Sequence, residues 1–187
     1  MTPERVEALF THGTTYRFAR WGRPIVPVVF GVAEETLGLV KGAIEAMVAT
    51  AGHRMAEHDP ELGANAILFF FADWQEVAGV PNLDHLIPDL PAFAAARAAE
   101  GAGVARLFRF DEAGAIRLAV VFLKIGDAEI DPQALMLDQA ARLMLTFAGE
   151  PVLAADEMAG LIRAAYDPVL PARADDAAHA FRLAARL

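Results

Sequence analysis

The sequence has neither cysteine nor serine. The first absence removes disulfides, thiolate zinc sites, iron–sulfur clusters and cysteine nucleophiles. The second removes the serine nucleophile and its G-x-S-x-G turn. Positive charge is also scarce. Sixteen Lys and Arg face 25 Asp and Glu, a formal net charge of −9, which disfavours phosphate backbones and anionic membrane surfaces. Nucleic acid and membrane are therefore not expected partners. The longest apolar runs, such as 66–72, fall far short of the roughly 20 residues a membrane span requires. No basic segment followed by an apolar stretch opens the chain. The expected location is cytoplasmic, or periplasmic if a signal peptide has been removed.

What is present is apolar and rich in alanine, with a hydrophobic fraction of 56% over 187 residues. A chain of this length buries roughly 70% of its unfolded surface and needs no staples. One domain spanning 1–187 is expected, with no internal repeat or break in composition.

Periodicity gives the elements. Pro3 to Phe10 reads as a short helix capped by Thr2. Residues 23–32 are β-branched and read as a strand, with Pro24 and Pro27 restricted to an edge or to its start. From Glu34 to Ala51, Leu37, Val40, Ile44, Met47 and Val48 recur at helical spacing, and Gly52 closes the helix. Ala64 to Trp74 holds a non-alternating apolar run, expected for a strand buried on both faces. Strand, helix and strand in succession imply a parallel pair with a right-handed crossover.

Residues 79–91 carry three prolines and read as a surface loop, followed by an Ala-rich helix ending near Gly101 or Gly103. Arg106 to Ile125 reads as a hairpin turning at Asp111–Gly114. Asp131-Pro132 starts a largely buried helix running to about Phe147, with Met136, Ala140, Leu143, Met144 and Phe147 as its stripe. Two more helices, over 154–166 and 172–186, complete an α/β (α+β) fold with a helical C-terminal part.

The order strand, long helix, buried strand, loop, hairpin, buried helix is similar to the zincin-like metalloprotease fold. There a mixed sheet packs against helices, and the helix after the sheet carries the metal ligands. The segment Leu161-Ile162-Arg163-Ala164-Ala165-Tyr166-Asp167-Pro168-Val169-Leu170-Pro171 resembles the "LLRALYDPRLRPGM" stretch of a proteobacterial family known as domain of unknown function 2927. Trp21-Gly22-Arg23-Pro24, before the first strand, resembles that family too. The likeness would cover roughly residues 15–185. It departs at the "PGM" end, where this chain has Pro171-Ala172-Arg173. What the resemblance implies is a fold and no assigned activity.

A catalytic zincin helix needs His at i and i+4 and Glu at i+1. Laid on that pattern, the 131–147 helix offers Asp138, Gln139 and Arg142. No metal and no cofactor is expected there; a charged Arg cannot ligate a cation, and Asp138 with Arg142 suits an i,i+4 salt bridge. His12, His53, His58, His85 and His179 contain no i,i+3 or i,i+4 pair, and each is expected at the surface or as a cap. Thr11, Thr14 and Thr15 beside His12 read as a polar turn. Gly101-Ala102-Gly103 is too short for a nucleotide fingerprint.

Asp73, Trp74, Asp84 and His85, with Asp89, surround the proline-rich loop and are the candidate cleft. The leading expectation is a non-catalytic, pseudo-peptidase-like domain that binds a protein or peptide. The alternatives are a hydrolase with an unconventional site around Asp73, Asp84, His85 and Asp138, and a structural homo-oligomer such as a homodimer.

Overall fold

Local signals place the first helix, α1 (Pro3–Phe10): the Thr2 hydroxyl accepts from the Arg5 amide at 3.3 Å and Pro3 occupies the first turn. The computed structural model describes residues 1–126 and 131–187. After α1 come a small hairpin, β1 (Thr11–His12) with β2 (Thr15–Tyr16), and a short strand, β3 (Phe18–Ala19). Then follow β4 (Pro27–Phe30), α2 (Glu34–Thr50), β5 (Ala66–Phe71), α3 (Trp74–Ala78), α4 (Leu90–Ala99), β6 (Val104–Phe110) and β7 (Ile116–Lys124). The remainder is α5 (Pro132–Leu143), α6 (Ala155–Ala165), β8 (Arg173–Ala174) and α7 (Ala178–Ala184). No described helix is long and apolar enough to cross a membrane.

The main sheet has the order β4-β5-β7-β6. β4, β5 and β7 are parallel, and β6 runs antiparallel to β7 at the edge. The protein is thus mixed α/β, with sheets packed against helices. β4 is the opposite edge strand, and it is shorter than the expected 23–32: Pro24 lies before it, Pro27 is its first residue and Gly31, at φ +80°, ends it.

Alternation along β5 and β7 feeds two cores, because successive side chains leave opposite faces. Leu68, Phe70, Ala119, Val121 and Leu123 join α1, α2, α5, α6 and α7 in the larger one. Phe71, Leu118, Val120 and Phe122 pack with Trp74, Val77, Leu83 and Leu90 in the smaller one. The unbroken apolar run of β5 is therefore a strand covered on both sides.

Four further expectations need correction. The second strand stops at Phe71, because Asp73 caps α3 in a capping box with Glu76. Residues 79–91 are not a plain surface loop: Leu83–His85 form a 3-10 turn, and Leu83, Ile87 and Leu90 are buried beneath it. The helix that begins at Asp131-Pro132 ends at Leu143, short of Phe147. Leu145 bridges to Arg20, and the Thr146 hydroxyl accepts from the Ala19 amide at 2.8 Å, so the chain leaves the helix to pair with the β3 region. The Trp21 indole and the Tyr166 hydroxyl then donate to the Leu143 and Met144 carbonyls at 2.9 and 3.0 Å, satisfying the helix end. The last helix starts at Ala178 rather than 172, because Arg173–Ala174 pair with β3 instead.

Candidate functional site

β6 holds the key to the site because one of its edges is unpaired. The Lys124 amide donates to the Gly103 carbonyl at 2.8 Å. With the register Val104↔Leu123 to Arg109↔Leu118, this directs Ala105 and Leu107 toward β7 and turns the main-chain groups of Val104, Arg106 and Phe108 outward. No described strand pairs on that side. Among those outward groups, the Phe108 carbonyl meets the Arg109 guanidinium at 3.4 Å.

A groove of about 590 Å³ runs along this edge. Phe93 and Arg97 of α4 form one wall, and Arg142, Thr146, Phe147 and Glu150 the other. Arg17 from the β2–β3 turn and Arg173 with Asp175 line one end. The groove surface thus carries five arginines against two carboxylates, in a chain with net charge −9. Two further carboxylates, Glu100 and Asp138, pair with Arg97 and Arg142 from outside the lining.

The floor is a knot of charges between β6 and α5. Arg142 Nε donates to Asp138 Oδ2 at 2.7 Å, which is the i,i+4 pair anticipated from the sequence. Gln139 Nε2 donates to the same oxygen at 3.1 Å, and Arg142 Nη2 to the Pro151 carbonyl at 2.9 Å. Arg106 reaches across from the strand and donates to Gln139 Oε1 and to the Glu150 carboxylate. The structure therefore brings Asp138, Gln139 and Arg142 together on one face and adds Arg106 and Glu150.

Both guanidiniums are nearly enclosed, with side chains 10% (Arg106) and 9% (Arg142) exposed. Neither is saturated. Arg106 Nε has no hydrogen-bond partner, and Arg142 Nη1 lies 3.3 Å from Glu150 Oε2 in a geometry that makes no hydrogen bond. Burial pushes the Arg106 guanidinium below its usual value while Glu150 pulls the other way; a guanidinium stays charged through such a shift.

Asp73, Trp74, Asp84 and His85 do not line the groove along β6. Asp73 is spent on the α3 cap, and Trp74 is core, its indole donating to the Ala102 carbonyl at 2.7 Å. Asp84 and His85 are exposed on the 3-10 turn, as is Asp89 just beyond it. A second, apolar groove of about 500 Å³ lies nearby, between the ends of β4 and β5 and residues 76–86, but none of these residues lines it.

The histidines also fall apart from one another. His12 and Thr15 face each other in the β1–β2 hairpin. His53 is half-buried against the Arg23 carbonyl at 2.8 Å, and His58 and His85 are exposed. His179 corrects the surface expectation, being fully buried with its Nδ1 2.8 Å from the Tyr16 hydroxyl. Among the described residues no three His, Cys, Asp or Glu side chains are grouped to hold a metal.

Sequence reasoning left out Arg106 and Glu150. Arg106 did leave a signal: it stands between Val104 and Phe108 at an inward position of a strand, where an unpartnered charge is costly. Glu150 left none, because its role depends on where the chain turns after α5. No protein-family model matches this chain, and no curated protein or solved structure matches it either.

Proposed function

We propose that the protein is a non-catalytic zincin-like module that binds an extended peptide segment by adding it as a strand to β6. The observation that carries this reading is the outward row of main-chain groups at Val104, Arg106 and Phe108, opening into a groove walled on both sides. Strand addition at a sheet edge uses those groups for affinity and flanking pockets for side-chain choice. The zincin-like reading draws on the antiparallel edge strand lying beside the helix that follows the hairpin. Where a peptidase helix would present metal ligands and a base, this one presents Asp138, Gln139 and Arg142. A metal ion at that place would meet the guanidiniums of Arg106 and Arg142, whose charge opposes it.

Val104→Pro tests the edge. It removes one outward N–H at the first residue of an edge strand, where proline is tolerated. On an array of capped peptides of about nine residues, the wild type should capture a defined set. The variant, with its fold checked by circular dichroism, should bind that set roughly threefold to tenfold more weakly, the worth of one hydrogen bond. Undiminished capture by Val104→Pro overturns the edge reading. So does turnover of a substrate by a protein that captures no peptide. Concentration-dependent light scattering that Val104→Pro abolishes would instead make a second copy of this chain the occupant.

A further inference from the structure

The knot at the floor of the groove holds two enclosed guanidiniums and two incompletely used donors, and it closes on an exposed carboxylate. Glu150 is the most exposed member of the group, 52% against 41% for Asp138, and the residue before it, Gly149, has φ +77°. A glycine there lets the segment turn at little cost. Asp138 stays behind on the helix and holds Arg142 whether or not Glu150 is present. Taking Glu150 away therefore leaves the Arg106 guanidinium without its carboxylate, and Arg106 Nε and Arg142 Nη1 still unfilled.

Resting on the peptide reading above, we infer that Arg106 and Arg142 form a carboxylate-binding site for an Asp or Glu side chain of the docked peptide, and that Glu150 occupies it as a tethered stand-in when the groove is empty. The ligand class follows from the donor set. Guanidiniums fix carboxylates through two parallel N–H bonds, and such charge-assisted bonds are about twice as strong as neutral ones. A side chain fits better than a peptide terminus, because Arg106 lies in the middle of β6 and the groove continues to both Val104 and Phe110. A bound strand would pass over the site rather than end on it. Arg17 and Arg173 at the groove end and Arg97 on the far wall favour further acidic residues along the segment. The stand-in sets a threshold, since a peptide must displace a carboxylate held at high effective concentration.

The test uses peptides that the wild type captures, synthesised in pairs that differ only by Glu or Gln at the central position, capped at both ends and followed by fluorescence anisotropy. The wild type should prefer Glu by about tenfold, the value of a hydrogen bond to a charged partner. Glu150→Gln should tighten the Glu peptide by a further factor of about ten and leave the Gln peptide nearly unchanged. Arg106→Met should erase the preference while the Gln peptide still binds, and Arg106→Lys should restore only part of it, because an ammonium cannot fork. If Arg106→Met does not fold, Glu150→Gln decides alone, being a change on an exposed segment.

Glu and Gln peptides that bind alike to the wild type and to Glu150→Gln overturn the carboxylate site; if Val104→Pro still weakens both, the edge reading stands without it. Inorganic phosphate that displaces the Glu peptide from Glu150→Gln with an affinity equal to the peptide's own overturns the peptide assignment in favour of a free anion. No capture by either protein sinks both readings.

Discussion

His179 gives the fold a dependence on pH that one pair of substitutions should remove. The imidazole has no exposed surface, its ring centroid lies 4.2 Å from that of Phe18, and Nε2 has no partner. Burial is the main reason its pKa falls from 6.5 to about 4, and the positive charges of Arg182 and Arg186 act in the same direction. Against it lies the Tyr16 hydroxyl, held well above its usual value by burial and by the Glu7 carboxylate, so that it stays protonated. The folded protein therefore keeps the ring neutral, whereas the unfolded chain takes up a proton below pH 6.5. Because the unfolded state binds more protons in that interval, stability is fully present above pH 6.5 and is lost as the pH falls toward about 4. At most about 3 kcal/mol is at stake by linkage, and about 2 kcal/mol once relaxation around the ring is allowed for. Urea unfolding at about pH 7 and about pH 4.5 should show the wild type losing about 2 kcal/mol more than the Tyr16→Phe/His179→Phe variant, which keeps both rings and removes both polar partners. His53, whose pKa burial also lowers, and the carboxylates of Asp59, Glu157 and Asp167, lowered by hydrogen bonds they accept, titrate in both proteins and cancel in the difference. Equal losses in the two proteins would show that His179 titrates as a solvated group, and the account of that core would be refuted.

Three further substitutions probe the frame that holds the groove. Asn65 is fully buried and makes three hydrogen bonds, accepting from the Val26 amide and donating to the Pro24 carbonyl and to Asp59. Asn65→Ala should cost about 3 kcal/mol and lower Tm by roughly 6–12 °C in a thermal melt. Gly31 has φ +80°, and a Cβ there would stand 1.9 Å from the Phe70 carbonyl oxygen. Gly31→Ala must push β4 off β5 and should destabilise by more than about 3 kcal/mol in denaturant unfolding. Trp21→Phe leaves the Leu143 carbonyl without its donor and a gap in the core; a loss of about 2 kcal/mol is expected, and an unchanged midpoint would mean that the end of α5 is held by Tyr166 instead.

What could be read in the sequence was local. Thr2-Pro3 and Asp131-Pro132 located helix starts because a cap is a property of adjacent residues. The apolar run through Phe71 announced a covered strand because no alternation was needed to say so. What could not be read was set by partners distant in the chain. The helix after Asp131 continues its apolar stripe as far as Phe147, yet it ends at Leu143 because Arg20 and Ala19 offer a competing ladder more than a hundred residues away. The same cause moved the start of α7, where Arg173–Ala174 are taken by β3. At the site, Asp138 and Arg142 were legible as an i,i+4 pair, since helical spacing alone brings them together. Arg106 and Glu150 join them only through the hairpin register and the turn at Gly149, neither of which has a one-residue signature.

The knot itself is an arrangement that stability alone would not favour. Two guanidiniums with about a tenth of their surface exposed bear a desolvation cost, and attraction to Asp138 and Glu150 offsets it only where every donor is satisfied. Here two donors are not. A well-packed apolar cluster of the same volume between β6 and α5 would be neutral or more stable. A carboxylate arriving in the groove changes that balance, because it meets guanidiniums already stripped of water and already oriented by Asp138, Gln139 and Pro151. The cost of placing them is borne in folding, so that little of it recurs on binding. The proposed ligand, an extended chain with an acidic side chain at its centre, would draw on both features, the enclosed guanidiniums and the open edge of β6.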